Sequence, residues 1–280
     1  MLERRHVERI VDLALDEDAP WGDLTSQTLV PADAVAHARL NAREPGVFAG
    51  TVVYEVAMTR LDPSVQVTWH VCDGERFEAG ATLAHIDGPA RAVLQAERVG
   101  LNLLQRMCGI ATLTAQYVDA VEPHDVRVVD TRKTTPGLRA LERHAVRCGG
   151  GHNHRYSLSD AVMAKDNHLA VAGDLTEALR RAKAELPHTT HIEVEVDRLD
   201  QIDAVLAADA AHTIMLDNFS VDDLRAGVAK IAGRAVVEAS GGVTLDTIAD
   251  IAATGVDVIS VGALTHSVRA LDLGLDITVT

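Results

Sequence analysis

The sequence is poor in aromatic residues, cysteine and lysine, and it has no long apolar run. Phe, Trp and Tyr make up 3% of its 280 residues, too few for a platform on which nucleic-acid bases stack. The formal net charge of −15 excludes bulk electrostatic coating of nucleic acid or anionic membrane. Cys72, Cys108 and Cys148 lie far apart without a C-x-x-C. They give no zinc spacing and no disulfide framework, which fits a reducing, cytoplasmic location. No apolar run reaches the roughly 18 residues of a membrane span. The start MLERRHVERIVDLALDEDAP is charged and helical in period, without an apolar signal core. Neither G-x-G-x-x-G nor G-x-x-x-x-G-K-[ST] occurs, which counts against Rossmann and P-loop nucleotide folds.

What is present describes a soluble globular chain. Hydrophobic residues are 47% and charged residues 24%, enough apolar surface for a core. The length suits one large domain or two ordinary ones. Only four of the 26 basic residues are lysines: Lys133, Lys165, Lys183 and Lys230. Few lysines among many acids fit either a salt-rich cytoplasm or a GC-rich genome.

The first third mixes a helix with short alternating runs. Val7, Ile10, Val11, Leu13 and Ala14 recur at helical spacing. The turn-rich EDAPWGDLTS follows, then the strand-like pieces AHARLNAREPG, GVFAGTVVYEV, SVQVTWHVCDG and ATLAHIDG. A long helical stretch, AVLQAERVGLNLLQRMCGIATLTAQYVDAVE, then suits burial between two layers. From about residue 125 the rhythm becomes strand, loop, helix. The strands expected are 126–130, 161–165, 191–196, 213–217, 235–239 and 257–261. Nearly continuous apolar strands separated by helices indicate a parallel sheet covered by helices. The expected fold class is α/β, an incomplete (β/α) barrel of parallel strands preceded by a smaller α+β sheet domain. The division expected is 1–108 and 109–280.

Each apolar run ends in residues that can carry chemistry: Asp130-Thr131-Arg132-Lys133, Lys165, Asp217-Asn218, Ser240-Gly241-Gly242 and Gly262-Ala263-Leu264. Glu193 and Glu195 are two apart and share one face of their strand. In a β/α barrel these strand ends converge on one mouth. The two glycine motifs are expected to precede helices and to bind phosphate through free N–H groups. Residues 127–155 hold seven cations against two acids, a local reversal that suggests an anionic ligand. His152 and His154 resemble a metal pair, but lack a clear third ligand. Beside Arg155, a histidine better suits a ligand carboxylate. Glu195 and Asp217, two carboxylates near a phosphate site, suit Mg²⁺ shared with substrate phosphates.

Taken together these runs resemble the quinolinate phosphoribosyltransferase family, over nearly the whole chain. The likeness takes in Glu17-Asp18 through Gly22-Asp23-Leu24-Thr25, Gly46 to Gly50, and Glu97-Arg98-Val99-Gly100-Leu101-Asn102. It continues through Asp130-Thr131-Arg132-Lys133-Thr134-Thr135-Pro136-Gly137-Leu138-Arg139 and Gly150-Gly151-His152-Asn153-His154-Arg155. Lys165-Asp166-Asn167-His168, Glu193-Val194-Glu195, Leu216-Asp217-Asn218-Phe219, Ser240-Gly241-Gly242 and Val261-Gly262-Ala263-Leu264-Thr265 complete it. The D-T-R-K-T-x-P-G-x-R run is the specific part; the glycine motifs alone are common.

The resemblance implies transfer of phosphoribosyl from phosphoribosyl pyrophosphate to quinolinate. Pyrophosphate and CO₂ leave, and nicotinate mononucleotide results, an entry step to NAD. It implies a homodimer or a dimer-based hexamer with sites shared between subunits, and no nucleic-acid or membrane partner. By carry-over, Thr131, Arg132, His154, Arg155 and Lys165 bind substrate, with Arg98 reaching in from the other subunit. Lys133 contacts the pyrophosphate or ribose side, and Glu195 and Asp217 serve ribose and Mg²⁺. Ser240 to Gly242 and Gly262 to Leu264 hold the 5′-phosphate. Lys133, Lys165, Glu195 and Asp217 are the residues expected to be catalytic. Two rivals stand beside this reading. One is a sister phosphoribosyltransferase acting on nicotinate or another base. The other is a phosphate-binding barrel lyase using Lys165 as a Schiff base.

Overall fold

The structure, a computed structural model, describes residues 2–165 and 174–280. Asp166 to His168, part of one family-like run, lie outside the described residues. The chain forms two compact units whose sequences interleave. The first takes Met1–Ala115, Thr134–Gly150 and Thr265–Thr280; the second takes Gln116–Lys133 and Gly151–Leu264. The expected single cut at 108/109 therefore differs from the compact units. A helix at 139–148 and the strand Leu273–Val279 return to the first unit.

The first unit opens with α1 (Arg4–Asp18), whose Val7, Val11 and Leu15 form a buried stripe at i, i+4 spacing. The turn expected at EDAPWGDLTS instead launches α2 (Leu24–Leu29). Asp23 caps it, accepting the Thr25 and Ser26 N–H groups at 2.9 and 3.2 Å. In β1 (Val35–Ala42), Ala36, Ala38, Leu40 and Ala42 point inward while His37 and Arg39 face solvent.

Next come β2 (Gly46–Val47), α3 (Thr51–Thr59), β3 (Gln66–Trp69), β4 (Arg76–Phe77) and β5 (Thr82–Pro89). β1 lies between β5 and the strand Leu273–Val279, with β3 beyond β5; all pairs are antiparallel. The long helix α4 (Ala90–Ala120) lays Val93, Ala96, Leu101, Leu104 and Cys108 on this unit's core. Four of the few aromatic residues gather there. Phe48 meets Trp69 and Phe77 edge-on at centroid distances of 5.3 and 6.5 Å, and Tyr54 meets Trp69 at 5.8 Å. Such pairs add about 0.5–1.5 kcal/mol each beyond area burial.

The run GVFAGTVVYEV departs from expectation. Only Gly46–Val47 is strand, and Thr51 to Thr59 is helix α3. Its β-branched residues favour a strand locally. Tertiary structure overrides them: the Asp73 carboxylate accepts the Gly50 and Thr51 N–H groups at 2.9 and 3.0 Å and starts the helix. Helix α5 (Arg139–Cys148) completes the unit. The Arg106 guanidinium donates to the buried Glu142 carboxylate, to Thr135 Oγ1 and to the Thr265 carbonyl, which ties α5 to α4.

The second unit alternates strand and helix: β6 (Arg127–Val129), β7 (Val162–Ala164), α6 (Leu175–Glu185), β8 (Ile192–Val196), α7 (Gln201–Ala208), β9 (Thr213–Asp217), α8 (Val221–Ile231), β10 (Val236–Ser240), α9 (Ile248–Ala252) and β11 (Val258–Ser260). All six expected strands are present and every pairing is parallel. The sheet order is β6-β11-β10-β9-β8-β7. It runs consecutively from β7 to β11 and then returns to β6. That is the cyclic order of a singly wound barrel opened between β6 and β7, with no reversal point as in a doubly wound sheet. After β11 the chain forms α10 (Ala263–His266) and then β12, the strand Leu273–Val279. Among the described residues, no helix is long and apolar enough to cross a membrane.

Candidate active site

A cavity of about 550 Å³ lies in the second unit, and all six parallel strands reach it with their C-terminal ends. Thr131, Arg132 and Lys133 follow β6, Lys165 follows β7, and Glu195 comes from β8. Asp217 ends β9, Ser240 ends β10 with Gly241 and Gly242 following it, and Ser260 ends β11. Eleven of the residues expected from the sequence thus line one space: those just named except Ser260, together with His154 and Arg155.

His154 and Arg155 arrive by a different route. His152 forms a parallel bridge with Val129, on the edge of β6 that β11 leaves free. Its N–H donates to the Val128 carbonyl at 2.8 Å, and its carbonyl accepts from Asp130 N–H at 3.1 Å. Asp130 is fully buried and holds the next turn. Its carboxylate accepts the Asn153 side-chain N–H at 2.6 Å and the His154 backbone N–H at 2.8 Å. Asp130 is therefore a positioning residue at the root of the D-T-R-K run. His152 itself is exposed, so the pair of histidines does not converge as metal ligands.

His154 instead faces two buried acids. Its Nε2 lies 3.1 Å from Glu193 and 3.5 Å from Glu238. Burial would lower its pKa, but hydrogen bonds to the two carboxylates, and their charge, push it up to about 10. Burial, then the neighbouring Glu238 charge, raises Glu193 against the pull of His154. These protons belong to the cluster rather than to one residue. Glu238 was not among the sequence candidates. Its signal was an acid inside the otherwise apolar run AVVEA, a position that a buried strand fills with a charge only when something pairs it.

Two guanidinium groups share the cavity wall. Burial, then the neighbouring Arg132 charge, holds Arg155 below the usual arginine range. Arg155 also donates to the Ala161 carbonyl at 2.8 Å, which fixes its direction. Lys165 is ion-paired with Glu195. Of the two acids on β8, Glu195 lines the cavity, whereas Glu193 is buried behind His154. Asp217 accepts from the Asn218 side chain at 2.7 Å.

The glycine motifs differ from expectation. After Ser240-Gly241-Gly242, α9 starts only at Ile248, so no helix N-terminus stands at this motif. Gly241 and Gly242 have φ of 95° and 59°, left-handed values that glycine adopts without strain. A Cβ on Gly241 would run into the Asn218 side chain, and only glycine fits. Gly262 does precede a helix directly, but α10 is one turn long. Gly262, Ala263 and Leu264 are not among the lining residues, and the Leu264 side chain is fully buried. Arg98 is exposed on α4 of the first unit and does not line the cavity either.

For a metal, Glu195 and Asp217 offer two carboxylates in one cavity. Hard oxygen ligands suit Mg²⁺, which with so few protein ligands needs substrate phosphates to complete its shell. The donor set therefore fits a cation carried with a diphosphate.

Comparison with known proteins gives one answer. Residues 23–108 match the model of the N-terminal domain of quinolinate phosphoribosyl transferase, and residues 110–276 match that of its C-terminal domain. The chain is 46% identical over 273 residues to the nicotinate-nucleotide pyrophosphorylase [carboxylating] of Mycobacterium leprae, covering 94% of each chain. It is 42% identical over 264 residues to the probable nicotinate-nucleotide pyrophosphorylase [carboxylating] of Bacillus subtilis, covering 94% of this chain and 91% of the relative. The crystal structure of NadC from Streptococcus pyogenes superposes with a TM-score of 0.96 at 38% identity, covering 100% of this chain and 99% of that one. The expected pairing of a small α+β sheet domain with an incomplete barrel is thus the fold of a known enzyme family, and by sequence and by structure the chain belongs to the quinolinate phosphoribosyl transferase family.

Proposed function

We propose that the protein transfers phosphoribosyl from phosphoribosyl pyrophosphate to the ring nitrogen of quinolinate and removes one carboxylate as CO₂. The observation that carries this reading is the meeting of four cations, Arg132, Lys133, Arg155 and Lys165, with Glu195 and Asp217 in one cavity. Quinolinate is a dianion, and guanidinium groups grip carboxylates in a bidentate fork. Arg132 and Arg155 repel one another where they stand, and an anionic ligand relieves that repulsion.

The bond from ribose C1′ to pyrophosphate breaks, and the bond from C1′ to the ring nitrogen forms. Departure of pyrophosphate leaves positive charge on the ribose, which the carboxylates of Glu195 and Asp217 would stabilise. Lys133, exposed at the cavity edge, meets the leaving pyrophosphate. The Gly241-Gly242 amides take the 5′-phosphate. Mg²⁺ bound to Glu195, Asp217 and the diphosphate would neutralise charge on the leaving group. Ribosylation makes the ring nitrogen cationic, and the carboxylate at C2 then leaves as CO₂. The electron pair left at C2 takes up a proton, and nicotinate mononucleotide remains. Positioning and electrostatics supply the catalysis, and no covalent nucleophile is required. Lys165 is 43% exposed and paired to Glu195, unlike the desolvated amine that a Schiff-base lyase needs.

The working form is a homodimer in which the partner's copy of α4 supplies Arg98. The support is that Arg98 is exposed on its own unit and absent from the cavity wall.

The decisive experiment is a product assay. Purified protein is incubated with phosphoribosyl pyrophosphate, Mg²⁺ and either quinolinate or nicotinate, at low and high KCl. Nicotinate mononucleotide from quinolinate with matching CO₂ is the expected result. Product from nicotinate alone would move the protein to the sister activity. No product from either base at both salt levels would remove the substrate assignment.

A further inference from the structure

Three side chains of different chemistry meet in the first unit, none of them used by the proposed reaction. Asp73 stands in the turn between β3 and β4, and His144 and Cys148 lie four residues apart on α5. Spacing of i, i+4 puts the last two on one helix face. His144 Nε2 lies 2.7 Å from Asp73 Oδ2 and 3.4 Å from Cys148 Sγ. One ligating atom from each residue lies within 4.8 Å of the other two.

The rest of the surroundings fix this arrangement. Asp73 Oδ1 is committed to the α3 N-terminus through the Gly50 and Thr51 N–H groups. Oδ2 is thereby aimed at His144. All three residues are half-buried, with the His144 side chain 25% and that of Asp73 22% exposed, so an ion can enter from solvent.

A nucleophilic relay would place the thiol on one ring nitrogen and the carboxylate on the other. Here both face Nε2. A single Nε2–H cannot serve two partners well, whereas an ion in place of that proton bonds all three. We propose that Asp73 Oδ2, His144 Nε2 and Cys148 Sγ form a Zn²⁺ site, with water as the fourth ligand. The mixed oxygen, nitrogen and sulfur set suits a borderline transition ion. It disfavours Mg²⁺, which takes oxygen.

The binding step balances. Cys148 gives up its thiol proton to solvent and binds as thiolate. The His144 proton moves from Nε2 to Nδ1, and Asp73 is already ionised. The two charges of the ion offset the carboxylate and the thiolate, which leaves a neutral centre. Without an ion the thiol keeps its proton, because burial and then the Asp73 charge push it up to about 12. Bound Zn²⁺ staples α5 to the 70–75 turn and to the start of α3. Cys108 is fully buried against Ala49 and is not one of the three ligands.

The test is titration of the metal-free, full-length protein with Co²⁺, read by absorption. The expected result is one Co²⁺ per chain with a near-ultraviolet sulfur-to-cobalt charge-transfer band that Zn²⁺ bleaches. Oxygen sites such as Glu195 and Asp217 cannot give that band. Cys148→Ser abolishes it, Cys72→Ser keeps it, and His144→Gln weakens Co²⁺ binding at least about 100-fold. Zn²⁺ raises the unfolding midpoint of the wild type and of Cys72→Ser, but not of Cys148→Ser. Absence of the band in the wild type overturns the proposal whatever the variants do. So does a band that survives in folded Cys148→Ser or vanishes in Cys72→Ser.

Discussion

The Arg155 backbone N–H donates to Nδ1 of His154 at 2.7 Å. The ring's other nitrogen, Nε2, faces the buried carboxylates of Glu193 and Glu238.

This proton-rich cluster makes stability depend on pH in one direction. His154 ordinarily titrates at 6.5 and here near 10. A raised value means that its contribution is complete below pH 6.5 and is lost as pH rises through about 10. The wild type should exceed His154→Gln in unfolding free energy most at pH 6, and the gap should close towards pH 10. Denaturant unfolding of both proteins across that range measures it. A gap that widens with pH would show that the cluster does not hold its protons.

Lys133 and Arg155 separate chemistry from folding. Lys133→Ala removes an exposed side chain and should change stability by less than about 0.5 kcal/mol. Turnover should fall on the order of 10²–10³-fold, the loss typical of one transition-state donor. Arg155→Ala should abolish turnover with a larger rise in KM for quinolinate than for phosphoribosyl pyrophosphate. Near-normal kcat/KM in either variant would refute the assigned role.

Gly241 is held at φ 95° against Asn218. Gly241→Ala meets both a strained backbone and a collision, at a cost of about 1–3 kcal/mol. If this loop is the phosphate cradle, KM for phosphoribosyl pyrophosphate rises about tenfold or more, a loss of over 1.4 kcal/mol. KM for quinolinate should move little. Equal movement of both constants would make the loop structural only.

Glu142 tests the first unit alone. Its side chain is 1% exposed and pairs with Arg106. Glu142→Ala leaves that guanidinium only Thr135 and the Thr265 carbonyl and should cost about 1–3 kcal/mol. Chemical denaturation of Glu142→Ala and of the double variant Arg106→Met/Glu142→Leu should show partial recovery in the double. A loss as large in the double as in the single would argue that the pair's charge is not what matters.

Mixing subunits tests Arg98. Neither Arg98→Ala nor Lys165→Ala homodimers should turn over, yet mixed dimers should regain activity at one of two sites. Failure of every mixture to recover would place Arg98 in its own subunit or outside the reaction.

Much of this architecture was legible in the chain. The six apolar runs after residue 125 are the six parallel strands, because strands buried on both faces leave nearly unbroken apolar sequence. Nine of the cavity-lining residues were legible because strand ends in a barrel converge, and His154 and Arg155 because cations crowd residues 127–155. Helix α3 was not legible, since its cap, Asp73, lies some 22 residues away in sequence. Glu238 was hidden inside a strand, and its partner His154 sits 84 residues earlier. The role of Gly241 depends on φ, which a glycine's name does not report.

Strand β12 pairs with β1 along seven residues, from Ala36–Val279 to Ala42–Leu273. On a ribosome this sets an order of events. The parallel sheet is complete once Ser260 has emerged, whereas the first unit, though begun earlier, waits for residues 273–279 to cover the open edge of β1. Until then that edge offers a row of unpaired amides and carbonyls to any neighbouring chain. The half of the molecule made first is thus finished last, and a nascent chain arrested before residue 273 carries its aggregation hazard at its oldest end.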